Sequence, residues 1–449
     1  MFADRAARER TTVNRRSSVA LGFAVLVLVA FGPIVATETA QPAARYSLTA
    51  AFADHHSVDL GPYRSHLGVD KATYRGHLRS DKAPGQPLFA VPFYLVGRAF
   101  GAQSAANARV HGDLGLWWST FWSSMVPFAL LLALMYSACA RFASTAVALA
   151  VTAAVGICTM MLPYSVNLFG HSLAALFAFG TWRLLDREAL SLRRIALAGF
   201  LGGMAVLTEY ETAIIVAVLA GYLIARHRGR IAWFVLGSAG PIAILAWYQW
   251  RAFGAPWHTS YFGGTIDTRV EYELPGLHGF GALFFGDRGL WIGAPVALLA
   301  LAASVAILLR ERGDPRRHAV IALAIAIPYL ALVAGWSGLP LLEDSGPRYV
   351  IPVLPFLAVP LVVMWKRMAQ AIALTAFWGA LTAIPAAFTY ILVVTGLHPF
   401  PEMLRRVIDR DFQPTIWSMA FGSLGALVYA ATVVAATAYF VRVVRISIR

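Results

Sequence analysis

Charge is what this sequence has least of. Only 13% of its 449 residues are Asp, Glu, Lys or Arg, while 59% are hydrophobic, a balance that points to an integral membrane protein rather than a soluble domain. Cysteine is nearly absent too. Cys139 and Cys158 both fall inside apolar runs, which excludes a disulfide framework and a cysteine metal set and leaves them as small interior residues. No Walker-type phosphate loop and no Rossmann-type glycine fingerprint occurs, so a nucleotide-binding domain of either kind is not expected. Low-complexity tracts and clear internal repeats are missing as well. The formal net charge of +14 would suit nucleic acid, but the arginines cluster between apolar runs, where membrane orientation accounts for them and no nucleic-acid partner is expected.

What is present is a ladder of apolar runs. Arg5, Arg8, Arg10, Arg15 and Arg16 precede a first run over 18–36. It is long for a signal peptide and the Ala-Thr-Glu-Thr-Ala that follows is a loose cleavage match, so it reads as an uncleaved first span. Residues 37–114 form a long polar segment. Residues 115–441 hold the remaining runs, near 116–140, 145–163, 167–185, 195–208, 212–225, 231–250, 289–309, 318–336, 349–365, 371–396 and 416–441. Together these predict about twelve transmembrane helices in a single all-α polytopic membrane domain.

The basic residues set the orientation. Arg183, Arg187, Arg193 and Arg194, then Arg226, Arg228 and Arg230, then Arg310, Arg312, Arg316 and Arg317, then Lys366 and Arg367 occupy alternate loops, and Arg442, Arg445 and Arg449 close the chain. All share the side of the N-terminus, which the positive-inside rule makes cytoplasmic, so both termini are expected inside. The other loops face outward: the long first loop, the turn with Glu209 and Glu211, the stretch 251–288, the loop with Glu343 and Asp344, and 398–414. The cytoplasmic loops leave no room for a soluble domain. Chemistry is therefore expected on the extracytoplasmic face of a multi-pass cell-membrane protein.

Several outward-facing residues could carry that chemistry. Glu38 stands at the exit of the first span, either as a solvated end group or as a general base whose pKa is raised by partial desolvation. Tyr46, Leu48 and Phe52 can share one face of a short helix over 45–53 lying along the membrane. His55 and His56 are adjacent and point apart, a poor metal pair. Asp70, Lys71, Tyr74, Arg75, His77, Arg79, Asp81 and Lys82 follow, readable as solvated pairs or as a site where Arg and Lys grip a phosphate. Pro84 and Gly85 fix the turn that aims Lys82, and the apolar stretch 87–100 is too short to cross a bilayer, so it is expected at the membrane surface. His171 reads as a hydrogen-bonding residue between helices. Glu209 and Tyr210 lie at a tight outer turn, where an ionisable group is costly unless it faces a cavity or finds a partner. The aromatic loop with Trp257, Tyr261, Phe262, Tyr272, Phe280, Phe284 and Phe285 suits an interfacial belt or stacking on a sugar. Arg348, in Gly346-Pro347-Arg348-Tyr349, opens a late helix and makes a phosphate seat at its N-terminus.

In this order the features resemble the GT-C superfamily of polytopic glycosyltransferases, whose relatives include the aminoarabinose transferase for lipid A and the protein mannosyltransferases. Those enzymes place an acid after the first span, then a surface helix, then a Lys-Pro-Pro-Leu-like stretch. Here Glu38, the 45–53 segment and Ser80-Asp81-Lys82-Ala83-Pro84-Gly85-Gln86-Pro87-Leu88 stand in those places. Leu207-Thr208-Glu209-Tyr210 echoes the family's leucine-threonine-lysine turn, and Gly346-Pro347-Arg348-Tyr349-Val350-Ile351-Pro352 its arginine–tyrosine entry to a late helix. The layout covers most of the chain and the motifs are short. Two departures stand out: only Glu38 represents the usual pair of acids, and Glu209 replaces the turn lysine, which points to a different sugar or acceptor.

The resemblance implies transfer of a hexosyl or pentosyl group from a polyprenyl-phosphate carrier to a lipid, cell-envelope glycan or protein on the outer face. It makes Glu38 and Asp81 the catalytic carboxylates, with Glu38 by preference the base that deprotonates the acceptor hydroxyl. It places Lys82, Arg79, Arg75, Asp70, Glu209, Tyr210, His171, Arg348 and Tyr349 at the substrate, with Lys82 and Arg348 stabilising the departing phosphate. Membrane lipids are the surrounding partner. No cofactor and no tightly held metal is expected, a divalent ion being optional. A lipid-linked glycan ligase or polymerase is one rival reading; a flippase or transporter is another, although it would need ionisable groups near the midplane.

Overall fold

Polar caps cut the apolar runs into helices. Asp113, Ser144 and Ser191 each accept a backbone N–H from the first turn of the helix they precede, from Leu116, Val147 and Arg194, satisfying donors that a helix start leaves open. The computed structural model describes residues 2–187, 189–261, 272–337, 346–393 and 397–448, with side chains from 15 to 447. The elements that position the site are α1 (Phe2–Phe31), α2 (Ala40–His55), a hairpin of β1 (Lys71–Tyr74) and β2 (His77–Ser80), and α3 (Gly85–Ala99). They continue with α4 (Leu114–Cys139, with a π turn over Phe121–Met125), α5 (His171–Leu185), α6 (Leu192–Thr208), α7 (Leu354–Phe388) and α8 (Gly425–Ile448).

Among the described residues, five helical stretches are long and apolar enough to cross a membrane: Leu114–Cys139, Tyr210–Phe253, Gly313–Ala334, Arg348–Phe388 and Ile416–Ser447. A sixth arises if Leu277–Gly293 and Pro295–Arg310, bent by 107°, are one span. The chain is thus a multi-pass helical membrane protein. Its main apolar core runs through α1, α4, α5, α6 and α7, with Phe179, Trp182, Phe128 and Tyr329 fully buried in it.

Two pairings fix the direction of the bundle. Tyr429 donates to the Ala30 carbonyl, and Gly22 packs on Phe440 and Val443, so α1 and α8 run antiparallel and the two termini lie at the same end. The 35 residues of α7 would be about 52 Å long if straight. Yet Gly346, just before it, rests on Gly293, while Thr382 donates to the Ile292 carbonyl at 3.3 Å. The helix therefore doubles back, with exposed Lys366 and Arg367 at the far end beside the Met364, Met368, Ile307 and Ala319 cluster. That is the turn expected between 349–365 and 371–396.

The same far end collects arginines around one acid. Asp186, just past α5, accepts from Arg141, from Arg317 Nη2 at 2.7 Å and from Arg183 Nη1 at 3.2 Å, with His318 Nε2 3.4 Å away. Burial opposes the charged form, but His318, Arg141 and Arg317 outweigh it and hold the carboxyl near 2.

One expectation needs correction, and one element was not anticipated. The helix over 45–53 does not lie along the surface: α2 buries every residue from Gln41 to Ala51, Tyr46 and Leu48 included, because a helix this rich in alanine can be packed on all sides. The first loop also holds a short hairpin that the sequence reading did not anticipate. Lys71 pairs with Ser80 and Tyr74 with His77 around a two-residue turn, where Arg75 (φ 49°) and Gly76 (φ 82°) take the left-handed conformations that such a turn requires. Downstream, α3 spans about 22 Å, short of the roughly 30 Å hydrocarbon thickness. It buries Ala90, Tyr94 and Gly97 and exposes Leu95, Val96 and the neighbouring Phe100, as suits a helix at a membrane surface.

Candidate active site

The strand β2 delivers Lys82. Ser80 Oγ accepts the Lys82 backbone N–H at 3.2 Å, and Ser260 Oγ donates to the Asp81 carbonyl at 2.7 Å. Pro84 then caps α3, and Gly85 sits so close to α6 that an added Cβ would lie 2.6 Å from the Leu207 carbonyl. Held between these contacts, Lys82 Nζ donates to Asp70 Oδ1 at 2.7 Å and Asp81 Oδ2 at 2.8 Å. Burial opposes the charged form of all three groups. The Lys82 charge nevertheless holds Asp70 below the usual carboxylate range, and the two acids hold Lys82 well above its ordinary value. Asp81 goes the other way. Burial pushes it up to about 6, Lys82 offsets part of this and Asp70 adds to it.

A second ion pair lies beside the first. Arg45 of α2 is fully buried, and its Nη2 donates to Glu209 Oε1 at 2.6 Å. Glu209 ends α6 through its N–H on Ala205, and Thr212 Oγ1 donates to its carbonyl. Gly170 leaves room for the pair, since a Cβ there would fall 2.4 Å from Glu209 Oε1 and 2.8 Å from Arg45 Nη1. His171 opens α5 with Nδ1 3.4 Å from Glu209 Oε1, and one ligand atom each of His171, Glu209 and Glu211 lie within 4.8 Å of one another. Neither ring nitrogen of His171 makes a hydrogen bond, so the helix-to-helix bond expected of it is not there. Arg348 lies over the rings of Phe169 and Tyr349 at 5.7 and 5.0 Å, and Tyr349 meets His171 edge-on at 5.6 Å.

Lys82, Glu209 and Tyr349 border a cavity of about 550 Å³ whose walls also include Gln41, Glu211 and Tyr261. It lies at the end of the bundle opposite Asp186, for α5 starts at His171 and ends beside that acid. A buried ammonium in the wall of an aromatic-lined pocket, with two buried guanidiniums nearby, can hold a phosphorylated, ring-bearing ligand and stabilise charge on a leaving phosphate.

Neither a family model nor a curated protein matches the sequence. Solved structures do match in shape. ArnT from Cupriavidus metallidurans bound to undecaprenyl phosphate superposes with a TM-score of 0.52 at 14% identity, over 96% of this chain and 75% of that one. The same protein in the apo state gives 0.53 at 15%, over 98% and 76%. The chain has the GT-C fold. The archaeal oligosaccharyltransferase AglB from Archaeoglobus fulgidus, in complex with an inhibitory peptide and a dolichol-phosphate, is also similar, at a TM-score of 0.44 and 11% identity over 95% of this chain and 60% of that one.

Within the GT-C fold the expected site residues divide. Lys82, Glu209, Tyr210 and Tyr349 line the cavity, and Asp70, Asp81, His171 and Arg348 lie behind that lining in the same charged cluster. Arg75 does neither: it is exposed at the hairpin tip, over the Tyr74 ring at 5.2 Å. Arg79 is bound to Asp59 at 3.3 Å and to the Ala252 and Leu78 carbonyls. Glu38 is buried outside the cavity walls. Its N–H bonds the Val110 carbonyl, and its carboxylate lies 3.9 Å from His66 Nδ1. Burial pushes it up to about 7, with the Asp113 charge adding. Asp113 in turn lines a second cavity of about 540 Å³ with Trp117, Trp118 and Arg109.

Sequence reading missed Arg45, Gln41 and Glu211 as parts of the site. Arg45 carried a usable signal, a single cation in a run of alanines at helical spacing, which is affordable only when a buried acid meets it. Glu343, Asp344 and Phe262, expected in outward-facing loops, lie outside the described residues.

Proposed function

We propose that this chain transfers a sugar from a polyprenyl-phosphate carrier to an acceptor hydroxyl on the extracytoplasmic face of a cell membrane. The observation that carries the reading is Lys82, a buried ammonium held open to an aromatic-walled cavity with Arg348 and Arg45 nearby, in a chain with the fold of an ArnT structure that contains undecaprenyl phosphate. The sugar–oxygen bond to the carrier phosphate breaks as the acceptor oxygen bonds the anomeric carbon. The acceptor proton passes to a carboxylate, and the negative charge left on the phosphate is met by Lys82 and Arg348.

Asp81 is the carboxylate that the geometry favours. It adjoins Lys82, its Oδ1 is buried without a hydrogen bond, and burial has already raised its pKa to about 6, close to the operating pH. Tyr261, Tyr272 and Tyr349 supply ring faces for the sugar. For topology we propose about twelve crossings with both termini inside. The antiparallel α1 and α8, the doubled-back α7 and the arginines gathered at the end away from the cavity support that arrangement.

The test is transfer by purified protein from a panel of radiolabelled polyprenyl-phosphate sugars to membrane lipid and glycan acceptors. Lys82→Met and Asp81→Asn are each expected to lower transfer by roughly two orders of magnitude. Absence of transfer from every donor would overturn the reading. Loss with Glu38→Gln but not with Asp81→Asn would move the base to Glu38.

A further inference from the structure

We infer that His171, Glu209 and Glu211 form a divalent-cation site on the inner wall of the cavity. The three come from the start of α5 and from the turn after α6, and their nearest ligand atoms all lie within 4.8 Å of one another. A point equidistant from three atoms so spaced is about 2.8 Å from each, so side-chain shifts of well under 1 Å bring all three to the 2.0–2.2 Å of metal–nitrogen and metal–oxygen bonds.

A second observation points to a missing ligand. His171 is fully buried, yet Nδ1 and Nε2 both lack a hydrogen-bond partner, and Glu211 Oε1 is buried and unpartnered beside them. Such groups are costly unless something binds them. A cation meets His171 and Glu211 at once, and Glu209 shares it through the carboxylate that Arg45 already orients.

The charges around the cavity permit it. Glu209, Glu211, Asp70 and Asp81 face Lys82, Arg45 and Arg348, so these acids outnumber these cations, and a divalent ion turns the group into a seat for an anion. One imidazole and two carboxylates suit Mn²⁺, Mg²⁺ or Zn²⁺ rather than a soft metal. Metal binding stands apart from the transferase reading; only a part in holding the donor phosphate would rest on it.

The experiment uses the full-length protein in detergent, stripped with chelator and titrated with Mn²⁺ under electron paramagnetic resonance. The expected result is one Mn²⁺ per chain, weakened at least about tenfold by His171→Gln and by Glu211→Gln, with melting curves confirming that both variants fold. Spin-echo modulation of the wild-type complex should show coupling to an imidazole nitrogen, a readout that needs no variant. No binding up to about 1 mM Mn²⁺, far above the affinity of a built site, would overturn the site, as would bound Mn²⁺ without nitrogen coupling or equal binding by both folded variants. Binding without sugar transfer leaves this site standing and removes the transferase reading. Transfer with no bound metal does the reverse.

Discussion

At the scale of single residues, two buried acids are pushed in opposite directions. Glu38 holds a proton in the folded state between its ordinary 4.5 and its raised value of about 7, so its contribution to stability falls as pH rises through that window. Glu38→Gln is therefore expected to melt higher than wild type at pH 8 and level with it near pH 4.5, read from melting curves in detergent. An equal difference at both pH values would contradict the assigned burial. Asp186 behaves oppositely. Its contribution is complete above the unfolded value of 3.8 and lost as pH falls through about 2. Asp186→Asn leaves Arg141, Arg183 and Arg317 facing one another, and it should cost roughly 3 kcal/mol at neutral pH. A variant as stable as wild type would show that the arginines find other partners. The sequence revealed Arg183 and Arg317 through their spacing between apolar runs, but not Arg141. The acid that binds them drew no notice, because a lone Asp at a loop edge looks solvated until three distant segments meet there.

Among the elements, the junction of β2, Lys82 and α3 sets the geometry of the cavity. Gly85→Ala would force α3 away from Leu207, at a cost of about 1–3 kcal/mol in overpacking and a shift of Lys82 from Asp70 and Asp81. The expected outcome is a larger loss of donor affinity than of folded protein, compared by substrate titration and by melting. An alanine variant that binds donor as wild type does would mean that α3 relaxes freely. The hairpin escaped sequence reading because neither face of Lys-Ala-Thr-Tyr or His-Leu-Arg-Ser is uniformly apolar, so no alternation marks it; only the Arg-Gly pair at its turn was a cue. The buried α2 was misplaced for the converse reason. Its small residues hide how completely it is enclosed, and the pattern of Tyr46, Leu48 and Phe52 alone suggested one wet face.

For the molecule as a whole, the doubled-back α7 shows how far charge placement reaches. Lys366 and Arg367 marked the reversal in the sequence, although the helix continues through it. What could not be read was which residues converge at the cavity, since Arg45 and Glu209 are 164 positions apart. Sidedness is open to a direct check. A cysteine replacing Arg75 at the exposed hairpin tip should react with a membrane-impermeant maleimide in intact cells, and one replacing Arg310 only after the cells are opened. Cys139 is buried and Cys158 half-buried, which keeps the background low. Labelling at position 75 only in opened cells would place the cavity on the other side.

The cluster around Asp186 also bears on how the chain is made. Arg141 and Arg183 leave the ribosome before the acid does, but Arg317 lies 131 positions later, roughly ten seconds of synthesis at ordinary rates. During that interval Arg141 and Arg183 can already bind Asp186 Oδ2, but Oδ1 lacks its Arg317 hydrogen bond until the late helix Gly313–Ala334 arrives. A chain halted before Arg317 would therefore keep one carboxylate oxygen without its partner and leave the late helix unanchored at this rim.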